Sequence, residues 1–257
     1  MVFSTETQQR VLREHFGIAS AANQLIIALA GNPNVGKSTV FNALTGLRQH
    51  TGNWPGKTVD NAQGTFTYQE QSFLLVDLPG TYSILAHTVE EQVARDFICF
   101  GRPDVTLVVL DATCLERNLN LALQIMEITP NVVVCVNLMD EARKKNIRVN
   151  IKALEKELGV PVVATAARNS EGLDELLSVL YQFANGKLKP CPKRIDYSPE
   201  VEAAVETILP KIQRLIDHKL DPRWVTLRLL DGDQGFIESI SLHLELNPLQ
   251  THKEAAV

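Results

Sequence analysis

Four cysteines are too few and too scattered to build anything. Cys99, Cys114, Cys135 and Cys191 show no C-x-x-C spacing, which argues against a thiolate metal clip or a redox pair. Three of them fall in apolar or helical surroundings, so free thiols in a reducing compartment are expected. No run approaches the roughly 18 to 20 apolar residues that a bilayer crossing needs. The start, Met1-Val2-Phe3-Ser4-Thr5-Glu6, lacks the charged head and apolar middle of a signal peptide. A soluble, cytosolic chain is therefore expected. Positive charge is scarce as well: 25 Lys and Arg stand against 30 Asp and Glu. No basic cluster exceeds a solvated helix face, so no nucleic-acid partner is expected. What remains is 257 residues, 45% of them hydrophobic, which is enough for one α/β domain with a smaller unit beside it.

The apolar pattern alternates. Strands are expected at 25–29, 64–68, 72–76, 104–111, 132–136 and 160–164, with 64–68 and 72–76 joined as a hairpin by Gln69-Glu70-Gln71. Helices are expected at 40–45, 88–100, 115–129, 150–159 and 171–183. Such alternation predicts a mostly parallel sheet flanked by helices, with ligands at the carboxyl ends of its strands. Residues 47–60 read as a long polar, Gly-rich loop of the kind that carries function. Residues 1–23 read as an N-terminal appendage with no chemistry, 24–184 as the main domain, 185–195 as a linker, and 196–257 as a small helical domain. In the last, Ser198-Pro199 opens one helix to about His218, and Asp221-Pro222 opens another to Leu230. Their apolar stripes are Val201, Ala204, Val205, Ile208, Ile212 and Leu215, then Trp224, Leu227 and Leu230; both read as core.

The chemistry concentrates after the first strand. Gly31-Asn32-Pro33-Asn34-Val35-Gly36-Lys37-Ser38-Thr39 has the G-x-x-x-x-G-K-[ST] spacing between a strand and a helix. Glycines let backbone N–H groups turn inward onto phosphate oxygens, and the helix adds its positive end. Lys37 supplies a charge for the β- and γ-phosphates, and the Ser38 hydroxyl suits Mg²⁺. Asp77-Leu78-Pro79-Gly80 ends a strand, where Asp77 faces the magnesium. Gly80 offers its N–H to the γ-phosphate, at a place where a side chain is expected to obstruct. Asn137-x-x-Asp140 supplies base recognition, because the Asp140 carboxylate can accept from both N1–H and the exocyclic amine of guanine. Adenine offers no such pair of donors. Asn137 is expected to tie this segment to the phosphate loop and reach the base. In Thr165-Ala166-Ala167, the N–H of Ala167 is expected at the guanine oxygen.

These motifs stand in GTPase order, so residues 25–184 resemble a Ras-like G domain. Gly52-Asn53-Trp54-Pro55-Gly56-x-Thr58-Val59, Asp77-Leu78-Pro79-Gly80-Thr81-Tyr82-Ser83, Asn118-Leu119, Arg223-Trp224 and Leu229-Leu230-Asp231-Gly232-Asp233 extend the likeness to the cytosolic part of the FeoB family of bacterial ferrous-iron transporters. The resemblance implies a GTP-hydrolysing switch that uses GTP, GDP and Mg²⁺, followed by a helical domain that slows GDP release. It also implies a membrane-embedded iron-permeation region of the same full-length protein at the bacterial inner membrane. By position it makes Thr58 the switch magnesium ligand and Asn34 a K⁺ ligand, with carbonyls of 52–56 completing the potassium site; self-association stays open.

The chain also departs from the pattern. No glutamine follows Gly80, so hydrolysis is expected to rely on switch backbone groups and to be slow, with Glu90 and Glu91 as weak supporting candidates. Leu138 stands where N-K-x-D motifs have lysine, and Ala166 where a serine is usual; both are expected to loosen nucleotide binding. Lys57 has no explanation. His50 and His87 lie in the two switches without a second ligand at metal spacing, and read as exposed polar residues. The rival reading is a stand-alone, ribosome-associated GTPase, and a third is an ATP-dependent kinase, which Asn137-x-x-Asp140 disfavours.

Overall fold

The Val- and Leu-rich segments fill the middle of one sheet because strands buried on both faces carry continuous apolar runs. In the computed structural model, residues 12–18, 21, 23–46, 49–85, 87–216 and 220–245 are described. They divide into two units, one of the described residues within 21–98 and 103–195, the other of those within 12–18, 99–102 and 196–245.

The first unit holds β1 (Leu25–Gly31), α1 (Lys37–Thr45), β2 (Gln49–Asn53), β3 (Asp60–Tyr68), β4 (Gln71–Asp77), α2 (Val89–Asp96), β5 (Val105–Asp111) and α3 (Leu115–Ile128). β6 (Val132–Asn137), α4 (Met139–Lys144), α5 (Ile151–Leu158), β7 (Val162–Ala164) and α6 (Leu173–Ala184) complete it. The sheet runs β2-β3-β4-β1-β5-β6-β7. β4, β1, β5, β6 and β7 are parallel, while β2 and β3 are antiparallel additions at one edge. Asp77 stands beside Leu29, Gly31 beside Val109, and Asp111 beside Asn137. The carboxyl ends of four neighbouring strands therefore meet at one edge.

Several elements differ from the sequence reading. The long loop expected at 47–60 contains β2, whose residues 50–53 are exposed; a polar edge strand has no apolar alternation to betray it. The hairpin turn is tighter than expected, with Gln69 and Glu70 alone at φ 45° and 65°, the two-residue turn that matches strand twist. The helix opened by Thr88, whose hydroxyl accepts from Glu91 N, changes at Phe97–Gly101 to a π-helical turn. The short α4 follows Leu138, which sits at φ 62°. The linker carries no regular structure, yet Cys191 N and Lys193 N donate to Gly159 O and Leu158 O at 2.9 and 3.0 Å.

The second unit holds α7 (Pro199–Leu215), α8 (Pro222–Leu230) and α9 (Gln234–Glu245). The third helix was absent from the sequence reading; Asp233 caps it, accepting from Phe236 N at 2.9 Å. Val205, Ile212, Trp224, Leu227 and Phe236 are buried, and Trp224 meets Phe236 edge to face at 4.5 Å. Leu215 and Leu230, read as core, are exposed. Each ends its helix, and Ile216, one turn beyond Ile212, takes the buried place instead of Leu215. Glu202 on α7 receives both arms of Arg223 on α8 at 2.7 Å. Residues 12–18, from the segment read as an appendage, are packed: Phe16 and Ile18 are buried, and Arg13 donates to Arg102 O at 2.9 Å. His218 lies outside the described residues, as do residues 1–11.

Candidate functional site

The phosphate loop is shaped by what it must pass. A Cβ on Gly31 would stand 2.7 Å from Val109 O and 3.1 Å from a methyl of Val35. Gly31 is thus required by close approach to β5, not by a left-handed backbone. Gly36 has φ 82°, and a Cβ there would lie 2.4 Å from Asn137 Nδ2. Asn34 also has positive φ, 67°. Val35 is buried and anchors the loop, and Asn32 is buried with neither end of its amide partnered among the described residues.

α1 then begins at Lys37, with Ser38 and Thr39 exposed in its first turn. Lys37 Nζ donates to the Asp77 carboxylate and, at 2.7 Å, to Leu78 O. Burial raises the Asp77 carboxyl above its ordinary range, and the Lys37 charge offsets only part of this. Leu78 N donates to Leu29 O at 3.0 Å and Thr81 N to Gly31 O at 3.3 Å, fastening Asp77-Leu78-Pro79-Gly80 to the phosphate strand. At Gly80 a Cβ would come no nearer than 3.6 Å to Pro33, an ordinary contact. The protein's own packing does not demand a glycine there.

Asn137 joins the other half of the site to this one. Its Nδ2 donates to Val35 O at 3.0 Å, while its Oδ1 accepts from Thr165 Oγ1 at 3.0 Å and Ala167 N at 3.1 Å. The expectation for Ala167 changes accordingly: its N–H is spent on a buried side chain, because an amide oxygen without water must take the nearest donor. Ala166 N is likewise spent, on Glu171 O at 3.0 Å. Thr165 is fully buried, so its side chain faces Asn137 and not the open edge. Asp140 stands half-buried in the first turn of α4. An exposed bidentate pair, Arg143 to Glu171 at 2.6 Å, links α4 to the segment after Ala167. It holds the Glu171 carboxyl below its ordinary range, and no motif spacing signals it.

The switch segment is the part the structure does not gather. Gly52 and Asn53 pair with Asn61 and Asp60 inside the β2–β3 hairpin. Trp54, Pro55, Gly56 and Lys57 form a turn closed by Lys57 N to Trp54 O at 3.0 Å. Trp54 is buried against Phe97, with ring centres 5.3 Å apart. Thr58 is exposed in this turn and makes no hydrogen bond to the phosphate loop among the described residues. Beyond Gly80, Gln124 on α3 accepts from Ser83 Oγ at 3.1 Å and Ile84 N at 2.9 Å, and Arg117 lies over the Tyr82 ring at 4.3 Å. Neither Gln124 nor Arg117 was singled out from sequence. His50 and His87 are exposed.

Set beside known proteins, residues 25–180 match the family model described as Ferrous iron transport protein B. The chain belongs to the FeoB family. Residues 197–256 match a second model of that family, the FeoB cytosolic helical domain. The Fe(2+) transport protein A/Fe(2+) transporter FeoB fusion protein of Porphyromonas gingivalis is 39% identical over 212 residues, 81% of this chain and 25% of that protein. The cytosolic domain of the T. maritima FeoB iron transporter in GDP form I superposes with a TM-score of 0.78 at 36% identity, covering 87% of each chain. Its GMPPNP form gives 0.75 at 35%, covering 85% of this chain and 86% of that one. The chain spans between a quarter and three-tenths of the first curated relatives it matches. These FeoB matches leave the ribosome-associated reading without support. Among the described residues no helix is long and apolar enough to cross a membrane.

Proposed function

We propose that this chain binds GTP and GDP at the edge formed by β1, β4, β5 and β6, hydrolyses GTP slowly, and serves as the cytosolic regulatory domain of a ferrous-iron membrane transporter. The observation that carries this reading is the bond from Asn137 to Val35 O, which makes the base-reading segment and the phosphate loop one site. Asp140 selects guanine by accepting its two adjacent donors. Gly31, Asn32, Val35, Gly36, Lys37 and Thr39 surround the phosphates.

Ser38, Thr58 and Asp77 supply oxygen donors of the kind Mg²⁺ takes, and Asp77 already holds the Lys37 ammonium. Bound Mg²⁺ neutralises phosphate charge. Thr58 enters this set when the turn at 54–59 rearranges, and the Gly80 N–H meets the γ-phosphate in the same state. Asn34, exposed and left-handed, offers a neutral oxygen suited to K⁺. With no glutamine after Gly80, the attacking water is oriented by backbone groups, which makes the reaction slow. The membrane-embedded region of the full-length protein is the partner that reads the switch.

Steady-state GTP hydrolysis in K⁺ against Na⁺ tests this. Faster turnover in K⁺, lost in Asn34→Ala, is expected. An unchanged K⁺/Na⁺ ratio in Asn34→Ala overturns the potassium assignment, and absence of GTP hydrolysis in either salt overturns the enzymatic reading.

A further inference from the structure

We infer that Cys135 and Thr165 are positioning residues for guanine-nucleotide binding, forming a buried hydrogen-bond relay from the centre of the sheet that sets the orientation of Asn137 and, through it, its grip on the phosphate loop. This deepens the reading that the site takes a guanine nucleotide and rests on it.

β6 reads Val132-Val133-Val134-Cys135-Val136, so Cys135 is the one side chain of this apolar run that brings a hydrogen-bond donor. Cys135 is fully buried, between Val109 on β5 and Val163 on β7. Its Sγ lies 3.1 Å from Thr165 Oγ1. The direction of each bond follows from groups that have no choice. Ala167 N can only donate and Val35 O can only accept, so Asn137 turns its oxygen to the first and its nitrogen to the second. The Thr165 hydroxyl must then give its one proton to Asn137 Oδ1. That leaves its lone pairs to accept from the Cys135 thiol. Burial pushes this thiol up to about 12, so it keeps its proton for the purpose.

Thr165 cannot drift. Its N donates to Val136 O at 2.8 Å and its carbonyl accepts from Met139 N at 3.1 Å, at the start of the helix that carries Asp140. The relay therefore runs Cys135 S–H to Thr165 O–H to Asn137 to Val35 C=O. It ends on the residue next to Gly36, inside the phosphate loop. Without the hydroxyl, Asn137 keeps one fewer restraint on its amide and a buried oxygen is under-satisfied.

The test is release of a fluorescent GDP analogue from the full chain, with the melting temperature of the nucleotide-free protein measured alongside. Thr165→Val is expected to release nucleotide roughly tenfold faster and Cys135→Val about threefold faster, the losses typical of one buried and one weaker hydrogen bond. Thr165→Ser and Cys135→Ser, which keep a donor, are expected to restore slow release. Thr165→Val added to Asn137→Ala is expected to cause no further change, since the relay acts only through Asn137. Should Thr165→Val not fold, the Cys135→Val and Cys135→Ser pair decides. Native release rates in the valine variants, or failure of the serine variants to rescue, overturn the inference. So does faster release that merely tracks a falling melting temperature. A native chain that binds no guanine nucleotide overturns the underlying reading itself, and the inference with it.

Discussion

Gly36 answers two demands at once. Its φ of 82° costs an L-residue about 1–2 kcal/mol, and a methyl group there would press on Asn137 Nδ2. Gly36→Ala is therefore expected to break the Asn137–Val35 bond as well as strain the loop. Loss of nucleotide binding out of proportion to the drop in melting temperature is the signature to measure. Asp140 makes the complementary case on the base side. Asp140→Asn exchanges one acceptor oxygen for a donor, which mismatches guanine but matches a base with a carbonyl in place of the exocyclic amine. Binding assays are expected to show GDP affinity falling roughly a hundredfold and xanthosine diphosphate gaining.

Among the elements, the β2–β3 hairpin depends on a single large side chain. Trp54 and the smaller Val59 are buried at the two ends of a turn whose residues Pro55, Gly56, Lys57 and Thr58 are all exposed, so the indole is the main anchor of this segment. Trp54→Ala is expected to cost about 3–5 kcal/mol, read from the urea midpoint. In the helical unit an ion pair joins α7 to α8 beside their buried apolar residues. The bidentate contact with Arg223, together with the N–H of Tyr197, depresses the Glu202 carboxyl to about 2. A carboxyl depressed on folding stabilises above its unfolded value near 4.5, and that contribution fades as pH falls towards 2. The melting-temperature advantage of the native chain over Glu202→Gln is expected to be full at pH 6 and to vanish near pH 2. An advantage independent of pH would show that packing, not charge, joins these helices.

For the whole molecule, the division into a sheet-containing unit and a helical unit poses a question of cooperativity that a ligand can answer. A ligand that binds only the sheet-containing unit stabilises it by RT ln(1 + [L]/Kd), about 2.7 kcal/mol at a hundred times Kd. Calorimetry with GDP is expected to move the transition of that unit upward and to leave the helical transition in place. One transition moving as a whole would show that the units unfold together.

How much of this the sequence carried depends on the range of the interactions involved. The spacing from Gly31 to Ser38 encodes strand, turn and helix locally, and the valine run of β6 announces a strand buried on both faces. Phosphate loop, Asp77 and Asn137 were legible for that reason. β2 was not, because a polar edge strand owes its existence to β3 and not to its own side chains. α9 carried a readable signal, Asp233 capping ahead of Phe236 and Ile240, which the adjoining Asp231-Gly232-Asp233 motif obscured. The sequence by itself determined the fold class and located the residues proposed to read phosphate and base, since short-range backbone geometry and apolar periodicity suffice for both. Only the tertiary structure decided which buried donor meets which acceptor. Ala167 N and the Thr165 hydroxyl turn to Asn137, and the Cys135 thiol to Thr165, because those partners lie about thirty residues apart in the chain and become neighbours only when β6 and β7 pair and water is excluded from between them.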